Sequence, residues 1–161
     1  MSPILSVKNL HKQFRSNSGV VNAVSDVSFN LQSTQTLALV GESGCGKSTV
    51  ASAIMRLIEI ESGEILYEGR DVCAMGMNDL QMFRREVSIV FQNPYSSLNP
   101  KMRIKNIVGE PLSACYGVKG QELKDRVIKH LQDVGLGVEH LDRYPHQFSG
   151  GQRQRISIAR A

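Results

Sequence analysis

Residues 41–49 read Gly-Glu-Ser-Gly-Cys-Gly-Lys-Ser-Thr and follow the apolar run Leu37-Ala38-Leu39-Val40. The spacing is G-x-x-x-x-G-K-[ST], between a predicted strand and a predicted helix. No other stretch constrains the fold as strongly. A strand, a glycine-rich turn and a helix must be joined so that backbone N–H groups converge on one spot. That arrangement names a ligand class, a nucleoside triphosphate with magnesium. The bland alternative is a glycine-rich turn with an incidental lysine, and the flanking strand and helix argue against it.

Each residue type in the loop has a physical task. Gly41, Gly44 and Gly46 let the backbone take the conformations that aim successive amides at phosphate. The helix starting near Lys47 adds its positive end. Lys47 is expected to reach the β- and γ-phosphates as a point charge. The Ser48 hydroxyl is the expected magnesium ligand, and Thr49 is expected to hydrogen-bond a phosphate oxygen. Ser43 and Cys45 complete the set of expected nucleotide contacts. Cys45 is small enough for the loop, and no histidine lies close in sequence to activate it as a nucleophile.

Composition fits a folded chain with one sizeable core: 41% of the 161 residues are hydrophobic and 21% charged, ordinary globular values. The net charge of +4 suits an anionic ligand, although scattered lysines and arginines more often make a solvated surface. Without a basic arm or aromatic interleaving, nucleic acid is not an expected partner. The cysteines, Cys45, Cys73 and Cys115, form no C-x-x-C pair and are expected as reduced thiols in a cytosolic protein. The N-terminus lacks the pattern of a signal peptide, and no apolar run is long enough to span a bilayer. Any membrane role is expected to run through a partner.

The chain divides into two parts. Residues 1–92 read as a nucleotide-binding core with β elements. Ile4–Val7 is a predicted edge strand. Val24–Leu31 alternates as a half-buried strand, allowing a bulge. Thr36–Val40 is continuously apolar, as a buried parallel strand would be. Ser48–Leu57 is a predicted helix with Ala51, Ile54 and Leu57 at helical spacing. Glu64–Tyr67 and Val87–Phe91 are further predicted strands, with a short helix over Asn78–Arg84 between them. Residues 93–161 read as a helical part. Asn93–Pro100 is a predicted loop. Gln121–Val134 places Leu123, Val127, Leu131 and Val134 on one face, and a helix is predicted from Ser149 to Ala161.

Phe148-Ser-Gly-Gly-Gln152, followed by Arg153-Gln154-Arg155, resembles the signature of ATP-binding cassette ATPases, usually LSGGQ. Phe148 replaces the leading leucine. The resemblance implies an α/β P-loop NTPase core with an antiparallel β subdomain and an inserted helical subdomain. It implies that Ser149, Gly150, Gly151 and Gln152 contact ATP held by the other protomer; Ser149 also suits a helix cap. Val87–Gln92 is similar to the family's Q-loop, so Gln92 is expected to sense magnesium and the attacking water, and is counted with Lys47 as catalytic and with Ser48 as a metal contact. Phe14 is similar to the aromatic residue that stacks on adenine, with Val24 the apolar contact from the next strand. A core phenylalanine is the alternative for Phe14. His146 is expected to make only a local contact near the signature.

Two longer segments resemble one branch of the family: Phe91–Pro100 with Ile104–Leu112, and Arg143–Arg155. That branch serves oligopeptide, dipeptide and nickel importers. It implies a second ATPase subunit, identical or not, integral membrane permease subunits near Asn93–Glu110, and indirectly a solute-binding protein. The place implied is the cytoplasmic face of the plasma (inner) membrane, as a peripheral subunit.

The family's next elements are an apolar strand ending in Asp-Glu, the Walker B aspartate and the general base, and later a histidine. Ala161 stands just before that stretch, so the fold is expected to be incomplete at the C-terminus. The 161-residue chain is expected to bind ATP, hydrolyse it poorly and be prone to aggregate. Two rival readings are a non-hydrolysing nucleotide-binding remnant and a soluble cassette ATPase acting on ribosomes or DNA-repair complexes. The second usually carries tandem cassettes or long insertions.

Overall fold

The structure, a computed structural model, describes residues 2–16 and 19–161. The chain forms two compact units, Met1–Gln81 and Met82–Ala161.

The first unit is built on a four-stranded antiparallel sheet in the order β2-β1-β3-β4. Its strands are β1 (Leu5–Ser16), β2 (Gly19–Leu31), β3 (Ser62–Tyr67) and β4 (Arg70–Asp71). The long ladder runs from Leu5 opposite Leu31 to Ser16 opposite Gly19. Val7 and Leu10 are both buried although they stand three positions apart. Simple alternation would send one of them to water. A register shift between them restores both to the core. Asn9 and Asp26 take positive φ (44° and 53°). The Asn9 Nδ2 donates to Asp26 Oδ1 at 2.8 Å, and the Asn9 amide donates to Ser28 Oγ at 2.8 Å. Side chains thus replace the ladder bonds lost at the irregularity. Val24, Ile65 and Tyr67 complete the buried face of the sheet.

Helix α1 (Lys47–Ile54) follows the glycine-rich loop. It is shorter than the predicted Ser48–Leu57, and its buried face is Val50 and Ala53 rather than Ala51, Ile54 and Leu57. Arg56 ends it. Arg56 has φ 49°, its amide reaches Ala53 O, and the Leu57 amide reaches Ser52 O, both at 2.9 Å. These two bonds form a Schellman stop with arginine in the place that glycine usually takes. The Arg56 guanidinium donates to Met75 O, which helps hold the left-handed residue in place.

Several strand expectations need correction. Ile4–Val7 is no edge: it grows into β1, which lies between β2 and β3. Thr36–Val40 forms no strand, and Leu37, Leu39 and Val40 are exposed, Val40 at 93%. Val87–Phe91 is likewise irregular, with Val90 and Phe91 partly exposed. The cause is common to both. A parallel strand is satisfied only by hydrogen-bonded neighbours, and among the described residues the only ladders are those of the antiparallel sheet.

Helix α2 (Met77–Glu86) joins the two units in sequence. The second unit contains α3 (Pro94–Ser97), α4 (Ile104–Tyr116), α5 (Gly120–Asp133) and α6 (Gly150–Arg160). The predicted loop at Asn93–Pro100 therefore holds one helical turn. Asn93 caps it, its Oδ1 accepting from the Tyr95 amide at 2.9 Å, with Pro94 at the first helical position. Ile104, Ile107 and Val108 of α4 pack with Val127 and Leu131 of α5 and Ile156 of α6. Leu123 and Val134 flank this core, so the face predicted for α5 is the one that packs.

Candidate functional site

The glycine-rich loop is shaped by its contact with β2. Lys12 pairs with Val24 and Gln13 with Asn22, which leaves Ala23 as an extra residue on β2. The Ala23 carbonyl oxygen lies 2.1 Å from the point a Cβ on Gly46 would occupy, and Val24 Cγ2 lies 3.5 Å from it. Gly46 also has φ 95°. Both facts restrict position 46 to glycine. The first helical bond of α1 follows at once, from the Val50 amide to Gly46 O at 2.9 Å.

The first-turn amides of α1, at Lys47, Ser48 and Thr49, are those a helix leaves without intrahelical partners. Lys47 folds its ammonium back across the loop. Nζ donates to Gly41 O at 2.7 Å and to Glu42 O at 2.6 Å, and lies 3.4 Å from Cys45 Sγ. A positive charge is thus held beside the positive end of a helix. A cavity of about 350 Å³ opens here, lined among others by Val24, Leu39, Val40, Gly46, Lys47 and Val50. Gly41, Ser43, Gly44, Cys45 and Ser48 are exposed, and Thr49 is half-buried. Amides, a helix end and one ammonium are groups able to bind an anion, and the Ser48 hydroxyl is a hard oxygen donor beside them.

Phe14 stands on β1 opposite Val21, with 44% of its surface exposed. It is therefore not the core phenylalanine of the alternative reading. Lys12 Nζ lies 5.1 Å from its ring centroid.

In the second unit, Ser149 caps α6. Its Oγ accepts from the Gln152 amide at 3.3 Å, and Gln152 Oε1 accepts from the Ser149 amide at 3.0 Å. This reciprocal capping box was half legible, since Ser149 announced the cap. Gly150 and Gly151 take no positive φ. A Cβ on Gly151 would meet nothing within 4 Å, and one on Gly150 would meet only the Tyr95 hydroxyl at 3.7 Å. This unit's own packing thus requires glycine at neither position. Glycine inside a helix costs roughly 0.5–1 kcal/mol relative to alanine. The bare first turn is an open, flat approach to the end of a helix.

Gln92 is exposed in the irregular segment before α3 rather than at the end of a strand. His146 stacks on Tyr144, centroids 5.8 Å apart, a local contact.

Sequence reasoning missed the fastening of α3 to α6. The Arg153 guanidinium lies 4.2 Å from the Tyr95 ring centroid, and its Nε donates to Pro145 O at 2.7 Å. Ser97 Oγ and Ser157 Oγ are 2.9 Å apart, and Arg160 donates to Ser97 O. No periodicity in a four-residue turn could have signalled these bonds. Ala23 and the Lys12–Glu61 pair were missed for a similar reason, because they depend on cross-strand register.

Comparison with known proteins shows the family. A family model described as ABC transporter matches residues 24–161. Over 160 residues the chain is 47% identical to the oligopeptide transport ATP-binding protein OppF of Bacillus subtilis (strain 168), covering 98% of this chain and 52% of that protein. It is 46% identical over 166 residues to the glutathione import ATP-binding protein GsiA of Escherichia coli (strain K12), covering 99% and 27%. It is 44% identical over 165 residues to a probable peptide ABC transporter ATP-binding protein, y4tS, of Sinorhizobium fredii (strain NBRC 101917 / NGR234), covering 98% and 47%. The chain thus spans about half, or less, of the length of these relatives. Among solved structures, the dimeric cassette MJ0796 in a post-hydrolysis state bound to ADP and Pi superposes with a TM-score of 0.85 at 28% identity, covering 97% of this chain and 68% of that one.

Proposed function

Because the chain belongs to the ABC transporter family, we propose that it is the ATP-binding, energy-coupling part of a membrane importer for peptides. The observation that carries the proposal is the phosphate cradle: Gly46 pressed on Ala23 and Lys47 held at the start of α1. The peptide and glutathione importers among its relatives support the cargo class.

In this reading the triphosphate lies over the loop from Gly41 to Thr49. The first-turn amides of α1 donate to its oxygens, and the Lys47 ammonium turns from the loop carbonyls to the β- and γ-phosphates. Ser48 offers a hydroxyl oxygen to magnesium. When bound, the metal neutralises phosphate charge and helps orient the attacking water. Phe14 and Val24 receive the base. The open first turn of α6, with Ser149 to Gln152, serves an ATP held by a second ATPase subunit. A helix end that is bare without internal need fits such an approach from outside. Closure on ATP then biases permease subunits between two states, because only the closed form contacts the γ-phosphate from both sides.

The 161-residue polypeptide as such contains no Asp-Glu pair closing an apolar strand. We expect it to bind ATP and turn it over slowly, since general-base assistance contributes roughly 10²–10⁴-fold. The test is equilibrium titration with a fluorescent ATP analogue in magnesium. Binding should saturate, and Lys47→Met should raise the Kd at least about tenfold through loss of a charge-assisted contact. Equal binding by the wild-type chain and Lys47→Met would remove the cradle as the nucleotide site.

A further inference from the structure

We infer that Lys12, clasped by Glu61, is a positioning residue for the base: it occupies one face of the Phe14 ring and fixes the ring so that a purine stacks on the other. The inference rests on Phe14 being the base platform, as proposed above.

The observations form one connected chain. Lys12 and Phe14 are neighbours on β1, and the Lys12 ammonium stands 5.1 Å from the ring centroid, within cation–π range. A lysine on a hairpin usually keeps its head in water. This one has a side chain only 12% exposed. Its Nζ donates to Glu61 Oε1 at 3.0 Å. Glu61 is itself anchored twice to β1: its Oε2 accepts from the Gln13 amide at 2.8 Å, and its own amide donates to His11 O at 3.0 Å.

The sheet explains why Glu61 is there. The pairing of β3 with β1 ends at His11 opposite Ser62. Beyond that point β1 has no strand on this side among the described residues, and the Glu61 carboxylate takes over the Gln13 N–H that a longer β3 would have bonded. The carboxylate therefore has a fixed place, the ammonium is fixed by it, and one face of the ring is occupied. Phe14 is 44% exposed, so the surface left for a ligand is on the ring rather than on the lysine. A base stacked there would complete a layered order of base, ring and cation. Ordering the ring before the ligand arrives removes part of the entropy cost of binding.

The test is a double-mutant cycle of Lys12→Met and Phe14→Leu, read with both ATP and inorganic tripolyphosphate as ligands. Methionine keeps the apolar stem of lysine and removes the charge. Lys12→Met should raise the Kd for ATP about two- to fivefold, the scale of an exposed cation–π contact. It should leave tripolyphosphate affinity unchanged, because that ligand has no base. In the Phe14→Leu background the same substitution should no longer matter, since Lys12 acts through the ring. Equal weakening of ATP and tripolyphosphate would overturn the inference in favour of a plain charge effect. So would an ATP effect that persists beside Phe14→Leu, or no ATP effect at all. Phe14→Leu that leaves the ratio of the two affinities unchanged would instead remove the base platform. A wild-type chain that binds neither ligand would remove the phosphate cradle, and either result takes the inference with it.

Discussion

At the scale of single residues, glycines that look alike in the sequence have different physical reasons. Gly46 is glycine because the chain itself demands it: a Cβ would stand 2.1 Å from the Ala23 carbonyl oxygen, at φ 95°. Gly46→Ala should destabilise the first unit by at least about 3 kcal/mol in urea melts and abolish ATP binding. Gly151 has open space and ordinary helical φ. Gly151→Ala should stabilise the helix by about 0.5–1 kcal/mol in the same melts, while ATP-driven association with a second subunit falls. A loss of stability at Gly151→Ala comparable to that at Gly46→Ala would contradict the distinction. Glu61 gives a pH prediction. The Gln13 amide, then Lys12, holds its carboxyl below the usual range. A depressed folded-state pKa means the stabilisation is present above the ordinary carboxylate value of about 4 and is lost as pH falls through the lowered value. Glu61→Gln should therefore flatten the acid limb of the melting temperature against pH and leave the neutral region sloped as before. An acid limb identical to that of the wild type would show that Glu61 does not contribute.

At the scale of elements, the short α3 works as a bolt on α6. Tyr95 meets the first turn of α6 through Arg153, Ser97 meets the middle through Ser157, and Arg160 reaches back to Ser97 O from the last turn. Ser157 is 1% exposed, so its hydroxyl is committed to this contact. Ser157→Ala should cost about 1 kcal/mol, read as a lowered urea midpoint with unchanged slope. Ser97 keeps its bond to Pro94 O at 3.2 Å, which limits the damage. No change in midpoint would show that the two hydroxyls do not hold the elements together. The α5 stripe was legible because Leu123, Val127, Leu131 and Val134 recur at helical spacing. The bolt was not, because four residues are too few to show a period.

At the scale of the whole molecule, the 161-residue polypeptide carries exposed apolar segments that pair with no strand among the described residues. Leu37, Leu39 and Val40 are exposed in the first unit, and Val90 and Phe91 in the second. Exposed apolar segments with free backbone groups favour association. Sedimentation velocity should show concentration-dependent association of this polypeptide, and a monomer with one cooperative melt would refute it. The sequence alone determined what depends on neighbours along the chain. The loop from Gly41 to Thr49, the cap at Ser149 and the face of α5 each fit within a few turns, so spacing and residue type were sufficient. The tertiary structure decided what depends on register and on distant partners. The shift between Val7 and Leu10 turned both inward, the extra residue at Ala23 forbade a side chain at Gly46, and the end of β3 placed Glu61 under Lys12. Thr36–Val40 and Val87–Phe91 have strand-like sequences and no strand structure. A strand exists only when another strand accepts and donates its hydrogen bonds, and no local pattern can supply that neighbour.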